Sequence, residues 1–159
     1  MRYLLGIDPG LSGALALYDP MMESLETYPM PVIKAGTASK RVIDELELAR
    51  MIDSFSGSIK KVVIERVHAM PKQGVTSVFT FGMGYGILRG IVAANFLPVE
   101  YVTPQKWKKG LRVPALKDGS RARASEIFPK YSDQWNLKKW DGRAEAAMIA
   151  YYGAKHLTD

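Results

Sequence analysis

The stretch "YLLGIDPGLSGALALYD", residues 3–19, decides the fold. An apolar run climbs to one acid, Asp8, and breaks at Pro9-Gly10, and Gly13 then opens a second apolar run. Tyr3, Leu4, Leu5 and Ile7 are continuous enough for a strand buried on both faces. Ala14 to Tyr18 reads as its hairpin partner. A lone acid at the end of a buried strand carries a desolvation penalty unless it is paired or coordinated. An acid before Pro-Gly also suits a turn. This stretch by itself leaves both readings of Asp8 open.

Working outward, Ser24–Tyr28 reads as a third strand, and Pro29 and Pro31 predict a loop through Ser39. Residues 42–55 read as a helix with Val42, Leu46, Ala49 and Ile52 on one face. "KVVIE", Lys61–Glu65, is a short β-branched central strand, followed by a loop through "HAMPKQG". Val75–Asn95 is a long apolar helix and Pro98–Thr103 another strand, with helices near 104–109, 119–128 and 141–155. Three leading strands, then strands and helices in alternation, predict an α/β fold: a mixed sheet covered by helices in one domain, residues 1–159. Within the long helix Gly82, Gly86 and Gly90 share one face. Each glycine costs roughly 1 kcal/mol against alanine, so something approaches that face closely. The two readings are packing on the sheet and a second helix across a dimer interface.

Composition removes other classes. The chain has 159 residues and no cysteine, which leaves no disulfide framework and no thiolate metal site. Met1-Arg2 leads straight into a strand-like run rather than a signal peptide, and no stretch is expected to span a membrane. Together with the lack of cysteine, this predicts a cytoplasmic protein. Residues 103–143 carry 11 of the 22 basic residues and 4 of the 16 acids, a balance of +7 within a net charge of +6. The rest of the chain therefore sums to −1. Such a confined basic stripe is the footprint of a polyanion partner, or else a solvated lysine-rich face.

Glu65 repeats the pattern of Asp8, an apolar strand ending on an acid. Two such strands side by side put both carboxylates at one point of the sheet. "WDGRAEAAMIAYY" adds Asp141 and Glu145, which face the same way on a helix at a spacing of four. There they repel one another unless a cation is shared. Asp141 alone is also a plausible helix N-cap. Four carboxylates without cysteine suit Mg²⁺ or Mn²⁺. Two such ions about 4 Å apart clamp a phosphodiester between attacking water and leaving oxygen.

"GIDPGLSGA", "VVIERVHAM", "YVTPQKWKK" and "DGRAEAAMIAYYG", in this order, resemble the RuvC family of Holliday junction resolvases, over nearly the whole chain. They are most similar to the shorter phage and prophage forms and the related plant organelle resolvases. The resemblance implies a ribonuclease-H-like fold with a five-stranded sheet, its first three strands antiparallel. It also implies a homodimer, Mg²⁺-dependent cleavage with two ions per site, and four-way DNA junctions as substrate. Asp8 matches the family's first-strand aspartate and Glu65 its central glutamate. Glu145 matches the final acid of the last helix, which is usually aspartate. Many members carry Asp or His three residues before that acid; here Gly142 stands there, and Asp141 lies one position earlier. Lys108 and Arg121 match two family basic residues near the scissile phosphate, either stabilising the transition state or simply holding phosphate.

Lys106, Lys108, Lys109, Lys117, Arg121, Arg123 and Arg143 are expected to form much of the DNA face. His68 stands where some relatives carry an aromatic wedge, and Lys72 extends that loop. An actin-like or sugar-kinase ATPase shares the glycine-rich hairpin after strand one, but 159 residues supply one such domain and not the required two. A non-catalytic junction binder and a general nuclease of the same fold remain as alternatives.

Overall fold

The computed structural model describes residues 2–36 and 40–157. β1 (Tyr3–Asp8), β2 (Ala14–Asp19) and β3 (Ser24–Pro29) form an antiparallel meander. β6 (Ile59–Glu65) joins β1 in parallel, and β7 (Val99–Val102) joins β6 in parallel. The sheet order is β3-β2-β1-β6-β7, the ribonuclease-H-like arrangement expected. Ile7 pairs with Ile64, so the next step along both strands sets Asp8 beside Glu65 at the same end of the sheet.

The predicted loop through Ser39 contains a second, two-stranded sheet, β4 (Val32–Lys34) paired with β5 (Arg41–Ile43). Residues 37–39 of that stretch lie outside the described residues. The prolines mark only the entry to this hairpin, and its short strands are too brief to show a period. Val42 therefore belongs to β5. Asp44 accepts a hydrogen bond from the Glu47 N–H at 3.1 Å and starts α1 (Glu45–Ser56). This capping sets the helix phase, so Leu48 and Ile52 are buried while Leu46 is exposed.

One face of the sheet packs on α1 and α2 (Val75–Ala94), with Leu5, Ile7, Leu48, Ile52, Ile64 and Leu88 at its centre. The other face carries α3 (Pro104–Gly110), α4 (Gly119–Ile127), a 3₁₀ stretch at Pro129–Trp135 and α5 (Asp141–His156). The 3₁₀ stretch had no counterpart among the expected elements.

α5 lies unusually close to the sheet because its inner face is small: Ala146, Ala147, Ala150 and Gly153 are all buried. A Cβ at Gly6 of β1 would collide with the Ala146 carbonyl and the Ala150 amide. A Cβ at Gly142 would collide with Ser12 and Gly13, and one at Gly13 with the Asp8 carbonyl. The glycines around Asp8 therefore let a helix backbone rest on the strand that carries it.

α2 corrects two expectations. Among its residues only Gly84, Leu88 and Val92 are buried, and a Cβ at Gly82, Gly86 or Gly90 would meet nothing within 4 Å. The glycine face does not pack on the sheet. The helix is also long and apolar enough, by length and composition, to cross a membrane. The expectation that no stretch was so missed it because the glycines dilute the run and Arg89 interrupts it.

Gly6→Ala forces backbone atoms of α5 to move, and overpacking of this kind costs about 1–3 kcal/mol. Thermal melting should show that loss. Gly57→Ala, at an open position with helical backbone angles after α1, should melt at or above wild type. Equal melting of all three proteins would contradict the close approach of α5 to β1.

Candidate active site

Three of the four expected acids meet at one end of the sheet. Asp8 ends β1, Glu65 ends β6, and Glu145 projects from the second turn of α5. Burial and neighbouring carboxylates raise the proton affinity of Asp8 and Glu65. The Asp8 carboxyl is pushed up to about 8, first by burial and then by the charges of Glu145 and Glu65. The Gly10 N–H, at 3.5 Å, and Lys108 offset this in part. Glu65 is also shifted up, by burial first and by Glu145 as well.

Neighbouring donors hold the cluster. The indole N–H of fully buried Trp107 donates to Glu65 Oε2 at 2.8 Å. Ser120 Oγ donates to Glu145 Oε2 at 2.8 Å, and Lys108 Nζ lies 3.9 Å from the same oxygen. Thr103 caps α3 and Pro104 occupies its first turn directly after β7, which aims Trp107 inward at Glu65 and Lys108 at Glu145. Neither Trp107 nor Ser120 was among the expected site residues. The signal for Trp107 was a large apolar side chain inside the hydrophilic run "QKWKK".

Asp141 stands apart. It lies inside the first turn of α5, where Trp140 is the N-cap and no side chain caps the helix, so the N-cap reading fails. Its partner is Arg121, whose Nε lies 2.7 Å from Asp141 Oδ1 and which also bonds Asp118. Arg123 donates to the Leu111 carbonyl at 2.7 Å and pairs with Glu126, and so braces α4. Lys106, Lys109 and Lys117 are exposed, on α3 and in the turn before α4. His68 and Lys72 are exposed on the loop after β6, which is closed by a turn between Met70 and Gln73. Arg143 packs its guanidinium over Trp140.

As placed, no three acidic or histidine side chains among the described residues stand within reach of one ion. The donor chemistry nonetheless fits a hard divalent cation. Asp8, Glu65 and Glu145 offer only oxygens, sit in a poorly solvated corner and repel one another, and a shared cation removes that repulsion.

No protein-family model matches this chain, and no curated protein matches it. Solved structures do. Thermus thermophilus RuvC in complex with a Holliday junction substrate is 14% identical, with a TM-score of 0.62 over 98% of this chain and 96% of that one. The fold is that of RuvC. A second T. thermophilus RuvC structure gives 15% identity and a TM-score of 0.60 over 98% and 97% of the two chains. The yeast mitochondrial Holliday junction resolvase Ydc2 gives 13% and 0.52, over 92% and 75%. The RuvC-like fold thus spans nearly the whole chain and places its three converging acids on β1, β6 and α5.

The raised Asp8 carboxyl predicts the pH dependence of the metal-free protein. An unfolded aspartate releases its proton near its ordinary value of 3.8, whereas the folded one keeps it up to about 8. Between these limits the folded state binds more protons, so this group's contribution to stability falls as pH rises. In chelator, Asp8→Asn should raise the melting temperature more at pH 9 than at pH 5. A gain that is the same at both would show that Asp8 is not held in this way.

Proposed function

We propose that this protein is a structure-selective endonuclease that resolves four-way or other branched DNA junctions by paired, metal-dependent phosphodiester hydrolysis. The observation that carries this reading is the cluster of Asp8, Glu65 and Glu145 beside Lys108, at one end of a RuvC-like sheet and next to the basic segment. Its setting would be the cytoplasm of a bacterium, or of a host for a phage-encoded protein.

Asp8, Glu65 and Glu145 would hold Mg²⁺, or Mn²⁺ in its place, as a pair of ions. When bound, such ions activate water and stabilise the leaving oxygen. Trp107 fixes the carboxylate of Glu65, and Ser120 that of Glu145, so the donor set is pre-oriented. Lys108, half-exposed at the mouth of the cluster, places a positive charge where a phosphate enters. Arg121, held by Asp141 and Asp118, would lie beside the site as a phosphate contact. Exposed lysines on α3 and before α4 hold backbone phosphates along the arms.

Resolution takes two nicks on strands of like polarity, and a homodimer supplies two sites with the symmetry of the substrate. The surface that favours this is α2. Its glycine side is open, and Val75, Phe79, Met83 and Phe96 at or beyond its ends and flank are exposed at 87%, 70%, 44% and 92%. A second copy covering that side explains an apolar helix with one buried face.

Glu65→Gln should lower cleavage of a synthetic four-way junction by orders of magnitude while binding persists, because a repulsive charge toward phosphate is lost. Lys108→Ala should lower the single-turnover rate at saturating enzyme. Equal cleavage of junction, duplex and RNA–DNA hybrid by the wild-type protein would favour the general nuclease instead. Light scattering should give twice 17.7 kDa. A monomer that makes uncoupled nicks would remove the paired mechanism.

A further inference from the structure

A second basic surface joins the C-terminal end of the charge-excess segment to Arg41 of β5. Between the β1–β2 turn, β5 and the start of α5 runs a cleft of about 780 Å³. Its cationic lining is Arg41, Lys138, Lys139 and Arg143, and its only acid is Asp141, which is already paired with Arg121. Trp140 lies among them. The Arg143 guanidinium carbon sits 4.1 Å from the Trp140 ring centre and Lys139 Nζ 4.9 Å from it. The indole thus fixes two cations by cation–π contact. Arg41 donates to Ser12 Oγ at 3.2 Å, which ties the β4–β5 hairpin to the turn after Asp8.

None of these four cations has a carboxylate partner among the described residues, and the buried Nε of Arg143 has no hydrogen-bond acceptor. Unpaired, partly buried guanidinium groups are costly unless an anion completes them. The cleft also shares walls with the acid cluster. Ser12 and Gly13 close the turn after Asp8, and Asp141 lies four residues before Glu145, about 6 Å along the helix axis. At about 3.4 Å of duplex axis per nucleotide of one strand, that offset is one to two nucleotides along the axis.

We infer that this cleft is a clamp for the DNA backbone, gripping the phosphates one or two nucleotides from the bond that is cut, with Trp140 as the scaffold that aims Arg143 and Lys139. The inference rests on the proposed function and adds a binding surface to it. Because the Trp140 ring is engaged by cations, the clamp reads charge rather than base identity.

The test uses the full-length chain carrying Glu65→Gln to suppress cleavage, with a fluorescent four-way junction in Ca²⁺ and increasing salt. Arg41 and Lys139 are exposed, so Arg41→Ala/Lys139→Ala should leave the fold intact. It should weaken binding and flatten the slope of log K against log salt by about 2, from roughly 0.9 per lost phosphate contact. Trp140→Leu should weaken binding as well, and Trp140→Phe, which keeps a ring face, should restore most of it. An unchanged slope in the double variant overturns the clamp, and would leave the cleft to a different anionic partner such as an acidic protein segment. A wild-type protein that neither binds nor cuts the junction overturns the clamp and the proposed function together. One that does both, with the slope unmoved in the variant, overturns the clamp alone.

Discussion

The direct contact of the α5 backbone with β1 is the constraint on which the rest of the structure depends. Helices usually pack on sheets through side chains about 10 Å from the strands. Here Gly6 and Gly13 on one side, and Gly142, Ala146, Ala150 and Gly153 on the other, remove that spacer. The result is that Glu145, one turn into the helix, reaches the carboxylates at the ends of β1 and β6. A larger side chain at any of these positions pushes Glu145 outward and separates the acids.

That approach also creates an electrostatic problem. Three carboxylates are brought into a corner where water solvates them poorly, and burial together with the neighbouring charges disfavours the ionisation of Asp8 and Glu65. The protein answers in part with its own groups: the Trp107 N–H on Glu65, the Ser120 hydroxyl on Glu145, and the Lys108 ammonium between them. These donors are single and the charge is threefold, so the cluster remains short of positive charge. A site that is short of cation and open toward a basic surface is suited to gather divalent ions and a phosphodiester together.

Much of this was legible in the sequence, because the features concerned are local. Asp8 and Glu65 announce themselves as acids that end apolar runs, and Glu145 by its place in a helix of alanines. The mixed direction of the sheet follows from three leading strands and later alternation, and its strand order comes from the structure. What was not legible depends on groups distant in the chain. Asp141 looks like a fourth member of the cluster until Arg121, twenty residues earlier, takes its carboxylate. Trp107 reads as an ordinary core residue, and only the fold shows its N–H aimed at Glu65. The phase of α1 was set by Asp44, a capping residue that apolar periodicity does not weigh. The glycine stripe of α2 was read as a closely approached face, and only the structure shows that among the described residues nothing meets it.

The central claim is that β1, β6 and α5 build one divalent-cation site from Asp8, Glu65 and Glu145. Calorimetric titration of Mn²⁺ into the DNA-free protein tests it most directly. Wild type should bind the ion. Asp8→Asn, Glu65→Gln and Glu145→Gln should each lose most of that binding, and Asp141→Asn should lose much less. Binding by Glu145→Gln that equals wild type would contradict the account, since it would mean that the close approach of α5 does not serve the metal.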